Sequence, residues 1–338
     1  MTLLDPWLGD VPAATLERIR AARRVLAVGH ENPDADTIGG SLAIARIVEA
    51  LGGQATAVCS DPIPALYAFI PGVSAMRTDP DPAIAYDLLV ISDCGGPDRI
   101  GSVRERHAEL LGRLPRVILD HHASTSDAAP ADWVDPAAAA TCEMITLLAT
   151  RLGIPLEASG GAMAGALMAG LVMDTATFAH SNTTPRTLAV AAALVAAGAP
   201  LSDISRRLYR TKPTAQLRLF GRVMNGIAAA GSGRIIHATL LAADLSATGT
   251  TSSHSEGIID LLSQAEEAEI AILFKEAGAA TRVSVRTRPH GVDATELTGF
   301  FGGGGHARAA GATVDAPIEE ARRLVLAEAE RLVAALGR

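Results

Sequence analysis

The chain has 338 residues, of which 49% are hydrophobic, 20% charged and only 3% aromatic, and its net charge is -8. This is long enough for two domains and apolar enough for true cores, which excludes a disordered chain. Acidity and a shortage of rings exclude an extended groove for long nucleic acid, which needs basic residues and stacking platforms. In chain order, Arg24 to Gly29 (RVLAVG) is a short apolar run, followed by the polar turn HENPDAD and a helical stretch from Ile38 to Leu51. Gln54 to Cys59 predicts a second strand, Asp87 to Ser92 (DLLVIS) a third ending in Asp93, and Arg116 to Leu119 (RVIL) a fourth ending in Asp120-His121-His122. Apolar runs of this length, alternating with helices, predict an α/β domain: a buried parallel sheet with helices on both faces. Residues 161–173 fit a helix or a strand, and periodicity favours the helix. From about residue 187 the pattern is helical through Met224. It then changes to strands at 234–241, 270–275 and 281–287, a helix at 255–265, a Gly-rich loop (FFGGGGHARAAG), a final strand and a terminal helix. A smaller mixed-sheet α/β domain is expected there, giving a division into 1–190, a helical linker 191–225, and 226–338.

Cys59, Cys94 and Cys142 are too few and too scattered for a disulfide framework or a zinc ribbon, and read as buried small hydrophobes in a reducing cytosol. The N-terminus has no basic segment followed by an apolar core, and no apolar stretch reaches the ~20 residues of a membrane span. A soluble, cytoplasmic protein without a membrane partner is expected.

Four constellations carry chemistry. His30, Asp34 and Asp36 follow an apolar strand and precede a helix, at the carboxyl edge of the sheet where ligands bind. Asp34 or Asp36 alone would serve equally as the N-cap of that helix; a His and two Asp within seven residues point instead to a site. Asp93 directly terminates DLLVIS, and Asp120, His121 and His122 terminate RVIL. Vicinal histidines at a strand end are seldom structural, because two imidazoles need partners on opposite sides. Asp174 follows the apolar run GALMAGLVM. Several carboxylates converging without cations would repel and shift each other's pKa values, so metal binding is the economical resolution. Mixed carboxylate and imidazole donors suit manganese or magnesium better than a thiolate-seeking metal. Farther on, Gly302 to Gly305 with His306 and Arg308 form either a flexible loop or a phosphate clamp of backbone N–H groups, a His and an Arg. Arg286 is either its partner or a surface arginine. Ser181, Asn182 and Thr183 either line the site or form a turn. His107, His180, His237, His254 and His290 lack comparable context and read as structural or surface residues.

The strings VGHENPDADTIGGSLA, VISDCGG, ILDHHAS and GLVMDTATF resemble the four motifs of the DHH phosphoesterase family, and FFGGGGHARAAGA resembles the Gly-rich motif of its associated C-terminal domain. The resemblance runs over roughly residues 24–315 and is nearest to the group that combines oligoribonuclease and pAp phosphatase activities. It implies two divalent metal ions, manganese before magnesium: one held by His30, Asp34 and Asp93, the other by Asp36, Asp93, His121 and Asp174, with Asp93 bridging. It also implies that Asp120 orients a ligand histidine and that His122 faces the scissile phosphate. Gly304, Gly305, His306, Arg286 and Arg308 would hold the substrate end, measuring short substrates from one terminus. Ala35 and Ala176 stand where the family commonly has glycine. The activity so implied is hydrolysis of short RNA and of dinucleotides such as pApA, and of pAp to AMP, by a homodimer. Whether cyclic di-AMP is accepted stays open. The alternatives are an inorganic pyrophosphatase, which shares the N-terminal motifs but closes its site with a differently patterned domain, and a non-catalytic nucleotide sensor.

Overall fold

The computed structural model describes residues 3–125, 129–289 and 291–336; His290 lies outside them. The chain divides into two compact units, Met1–Thr211 and Lys212–Arg338.

The first unit runs α1 (Ala13–Ala21), β1 (Arg24–Val28), α2 (Ala35–Ala50), β2 (Gln54–Val58), β3 (Leu88–Ser92), α3 (Ser102–Arg106), α4 (Ala108–Arg113), β4 (Arg116–Asp120), β5 (Trp133–Val134), α5 (Thr141–Leu152), α6 (Ala162–Thr175), α7 (Pro185–Ala196) and α8 (Leu201–Ser205). Among the described residues its sheet has five strands, all parallel, in the order β2-β1-β3-β4-β5. Alternate residues of each strand enter different cores. Val25, Ala27, Val90 and Leu119 pack with the apolar faces of α2, α5 and α6, whereas Leu26, Val28, Ile91 and Ile118 pack with Ile100 and Val103 on the other side. Burial on both faces is why these strands read as unbroken apolar runs. The strand order reverses direction between β1 and β3, and the crevice at such a switch point is where open α/β sheets bind ligands. The 161–173 segment is the helix α6, so Asp174 sits in a last helical turn and not at a strand end. The two-residue strand β5 is too short to leave a pattern in the sequence.

The second unit runs α9 (Thr214–Asn225), β6 (Ala228–Ala230), β7 (Ile235–Leu240), α10 (Ala242–Thr248), α11 (Ile258–Leu262), β8 (Ile270–Ala277), β9 (Ala280–Thr287), α12 (Ala294–Gly299), β10 (Gly304–His306), β11 (Ala309–Val314) and α13 (Ile318–Ala335). Its sheet is mixed, with six strands among the described residues in the order β10-β11-β9-β8-β7-β6. Only β7 and β8 pair in parallel. Val190, Leu194, Ile204 and Leu208 belong to the first unit's core, and Leu219, Phe220 and Val223 to a core of the second. Among the described residues no single helix is long and apolar enough to cross a membrane.

Candidate metal centre

Three strand ends and one helix end converge at the switch point. The turn after β1 carries His30 and Asp34, and the first turn of α2 Asp36; Asp93 follows β3; Asp120 closes β4 and is followed by His121 and His122; Asp174 comes from the end of α6. Donor atoms of His30, Asp34 and Asp93 all lie within 4.8 Å of one another, as do those of Asp36, His121 and Asp174, and those of Asp93, His121 and His122. Asp93 is central: His30 Nε2 stands 3.7 Å from its Oδ2, and His121 Nε2 3.5 Å from its Oδ1. His121 Nε2 is also 3.3 Å from Asp174 Oδ2, and His30 Nε2 is 3.8 Å from Asp34 Oδ2.

Local hydrogen bonds hold each group. Asp34 fills both roles considered for it. Its Oδ1 accepts the N–H groups of Asp36 and Thr37, both at 3.0 Å, and so caps α2, while Oδ2 faces His30. His30 Nδ1–H donates to the Glu31 carbonyl at 2.5 Å, which leaves Nε2 to present its lone pair toward Asp34 and Asp93. Asp36 is fully buried and accepts the N–H of Thr141 on Oδ2 (2.7 Å) and of Cys142 on Oδ1 (2.9 Å), at the start of α5. The hydroxyl of Thr37 donates to Asp93 Oδ2 at 2.8 Å, and that of Thr141 to Oδ1 at 3.3 Å. Asp93 itself has φ 60, a left-handed conformation of the kind that accumulates at functional sites.

Asp120 is hydrogen-bonded to the ring of His122. His122 Nδ1 lies 2.8 Å from Asp120 Oδ1, and the other carboxylate oxygen accepts Gly95 N–H and the Thr125 hydroxyl, each at 2.6 Å. Burial alone would raise the Asp120 carboxyl, but the bonds from His122 and Thr125 outweigh it and hold its pKa at about 2. Asp120 is therefore an acceptor only, and His122 Nδ1 carries the proton.

The remaining electrostatics call for a cation. Burial, and then the charges of Asp36 and Asp34, push the Asp93 carboxyl well above the ordinary range. Burial, and then Asp36, Asp34 and Asp93, do the same to Asp174, whose place at a helix C-terminus adds the unfavourable end of the helix dipole. For Asp34, burial raises the pKa, but bonding to His30 and the two backbone N–H donors prevails and lowers it. Oxygen and imidazole donors gathered at this density, with two carboxyls held against their charged forms, fit hard or borderline divalent ions.

Four groups in this arrangement have no signature in the sequence: Thr37, Thr141, the N–H of Cys142, and Gly170. At Gly170 on α6 an added Cβ would lie 2.5 Å from Asp36 Oδ1 and 2.5 Å from Cys142 Sγ, so only glycine lets α6 approach α2 here. Ala176 has φ 47 and is followed by Thr177 at φ 58 and Phe178 at φ 65, which accounts for the glycine common at that position in the family. Ala35, by contrast, is an ordinary buried residue in the first turn of α2. Asn182 joins the site through its side-chain N–H groups, which reach the carbonyls of Ala139 (3.1 Å) and Asp174 (3.2 Å).

In the second unit the Gly-rich segment is a loop only as far as Gly303. Gly304–His306 forms edge strand β10, paired with β11 through Gly304↔Gly311, Gly305↔Ala310 and His306↔Ala309. Close approach of β11 excludes a side chain at two of the glycines: a Cβ would meet the Gly311 carbonyl at 2.3 Å from Gly303, and the Ala309 carbonyl at 2.6 Å from Gly305. Gly304 has open space. Ala309 also pairs with Arg286, so Arg286 and His306 flank Ala309 on one face of the sheet. Arg286 Nε bonds Asp260 Oδ1 at 3.0 Å. Arg308 Nη1 donates to the carbonyls of Arg288 (2.5 Å) and Val292 (3.1 Å).

A doubly wound sheet whose switch point gathers aspartates and histidines from four chain segments, followed by a separate mixed-sheet unit, defines a metal-dependent phosphoesterase. The chain belongs to the DHH family: residues 24–171 match the DHH family N-terminal domain and residues 233–335 the DHHA1 domain. A Thermus thermophilus protein named bifunctional oligoribonuclease and PAP phosphatase NrnA is 31% identical over 285 residues, covering 84% of this chain and 82% of that protein. A Bacillus subtilis protein of the same name is 27% identical over 249 residues, covering 72% and 75%. An exopolyphosphatase-related protein from Bacteroides fragilis shares the fold with a TM-score of 0.85 at 20% identity, covering 95% of this chain and 98% of that one. RecJ from Thermus thermophilus, solved in complex with Mn2+, has a TM-score of 0.51 at 19% identity and covers 98% and 56%.

Proposed function

We propose that this chain hydrolyses short oligoribonucleotides and di-adenosine nucleotides such as pApA to mononucleotides, and pAp to AMP, with two manganese ions. The observation that carries this reading is Asp93, whose two carboxylate oxygens face two donor sets, His30 with Asp34 on one side and His121 on the other. His30, Asp34 and Asp93 would hold one ion, and Asp36, Asp93, His121 and Asp174 the second. A bound ion pair supplies Lewis-acid stabilisation of phosphoryl oxygens and lowers the pKa of water. The protein's own part is positional. Ionised Asp120 fixes the proton on His122 Nδ1 and orients the ring, whose Nε2 would face a phosphate oxygen as charge develops there. The choice of substrate rests on two supports, the names of the relatives and the face of the second unit that carries Arg286 and His306. Gly304, with open space around it, lets a phosphate approach the backbone, and Gly305 keeps β10 close to β11. Arg308 contributes by bonding the carbonyls of Arg288 and Val292. Assembly as a homodimer and residence in the cytoplasm complete the proposal; Cys59, Cys94 and Cys142, all free and buried, suit a reducing compartment.

The test is a product assay in Mn2+ with pApA, pAp, cyclic di-AMP and inorganic pyrophosphate run in parallel. Release of AMP from pApA and pAp is expected. Hydrolysis of pyrophosphate alone would move the chain to another branch of the family, and inertness toward all four would leave it a sensor. The dimer is tested by light scattering on the eluting protein.

A further inference from the structure

We propose that Thr141 is a positioning residue that sets the spacing of the two metal-facing carboxylates Asp36 and Asp93, and that Arg186 keeps it in place. This rests on the metal pair proposed above. Thr141 touches both carboxylates with different atoms: its N–H meets Asp36 Oδ2 at 2.7 Å, and its hydroxyl meets Asp93 Oδ1 at 3.3 Å. Asp36 comes from the first turn of α2 and Asp93 from the end of β3, so a residue bonded to both fixes the distance between them. Thr141 is wholly buried.

The loop before Thr141 is tied to the rest of the site. Asp135 N–H donates to the Asp120 carbonyl at 2.9 Å, and the Asn182 side chain links the carbonyls of Ala139 and Asp174. Ala139 N–H reaches Glu143 Oε2 at 3.4 Å. Glu143 has no exposed surface, and its Oε1 accepts Arg186 Nε at 2.6 Å. Arg186 is nine-tenths buried and gathers two more carboxylates from separate segments, Asp135 Oδ2 at 2.8 Å and Asp10 Oδ2 at 3.1 Å. Burial works against its charge, but Glu143 and Asp135 prevail and hold it ionised. A buried ion pair of this kind adds little over apolar packing of equal volume, so its use lies in holding one geometry. The geometry held is that of the loop 135–140 and the first turn of α5, which close on Asp36, Asp93, the backbone of Asp120 and the backbone of Asp174. Removal of a group that orients a metal ligand typically costs 10–100-fold in metal affinity or activity.

The experiment measures Mn2+ binding to the full chain, by calorimetry and by electron paramagnetic resonance, for the wild type, Thr141→Val and Thr141→Ser. Valine keeps the shape and the N–H and deletes only the hydroxyl; serine returns it. Thermal melting without metal reports the fold separately. The expected result is a Val variant that melts near the wild type in EDTA, binds Mn2+ at least tenfold more weakly and has an altered two-manganese signal, with Ser within about threefold of wild type. Arg186→Gln should give a similar loss of affinity by freeing the loop. Wild-type affinity and signal in Thr141→Val would overturn the inference while leaving the proposed function standing, as would a Ser variant as impaired as Val. A wild type that takes up no Mn2+ would overturn both.

Discussion

Asp120 and His122 are joined by a 2.8 Å bond from His122 Nδ1 to Asp120 Oδ1, while the adjacent ring of His121 turns its Nε2 to Asp93 and Asp174. The two histidines of one signature share Asp93, which His122 Nδ1 approaches at 3.6 Å, but His122 hydrogen-bonds Asp120 while His121 faces Asp174; their ring centroids are 4.5 Å apart and their planes inclined at 61°. Asp120→Asn should lower the turnover rate by about 10- to 100-fold while leaving Mn2+ affinity within a few-fold of wild type. Loss of metal affinity equal to the loss of rate would show that Asp120 acts on the ions instead. The same carboxyl carries a stability term. Its pKa falls from 3.8 to about 2 in the folded protein, so its contribution is full above 3.8 and disappears as pH drops through 2. That term is worth about 2 kcal/mol, and urea unfolding of the Asn variant at neutral pH reads it.

Gly170→Ala should disable the site without touching a donor atom. The added Cβ would lie 2.5 Å from Asp36 Oδ1, so either the carboxylate turns away or α6 withdraws and takes Asp174 with it. Overpacking of this kind costs about 1–3 kcal/mol. A Mn2+ titration of the purified variant should show at least a tenfold loss of affinity. Unchanged affinity would mean that the α2–α6 contact is softer than its geometry indicates.

Metal and pH should act on stability in opposite senses. Asp93 and Asp174 have raised carboxyl pKa values, first through burial and then through the charges of Asp36 and Asp34. Such groups bind protons more tightly when folded, so without metal they favour the fold at low pH and oppose it as pH rises above 3.8. Protons and cations compete for the same oxygens, so the stabilisation by Mn2+ should grow over that range. At a free ion concentration about 100 times Kd it reaches about 2.7 kcal/mol per site. Melting curves from about pH 5 to about pH 8, in EDTA and in Mn2+, should diverge as pH rises. Parallel curves would refute the coupling, and Asp93→Asn should abolish the divergence.

Ala176→Gly should stabilise the protein. The residue has φ 47, and its N–H bond to the Met173 carbonyl (3.3 Å) does not involve a side chain. Glycine removes a left-handed penalty of about 1–2 kcal/mol and returns part of it as unfolded-state entropy, for a net gain of about 0.5–1 kcal/mol. The midpoint of urea denaturation measures it, and a decrease would show that this turn is not strained.

The sequence alone determined the alternation of strands and helices, because a sheet buried on both faces must be built from short apolar runs. It also marked Asp93 and the Asp120-His121-His122 signature as site residues, since charged groups directly after such runs fall at the ligand-binding edge. The helical state of 162–175 was only favoured by periodicity, because a segment apolar on every side fits either element. Tertiary structure alone decided how the aspartates are held. Thr141 lies 105 positions from Asp36 in the chain, and Gly170 is small because of a carboxylate that arrives from α2. It also made the end of the Gly-rich segment, Gly304–His306, an edge strand, since the fit of Gly303 and Gly305 depends on where β11 passes. Local pattern carries the elements; the contacts that fix donor atoms within an ångström form only when distant segments meet.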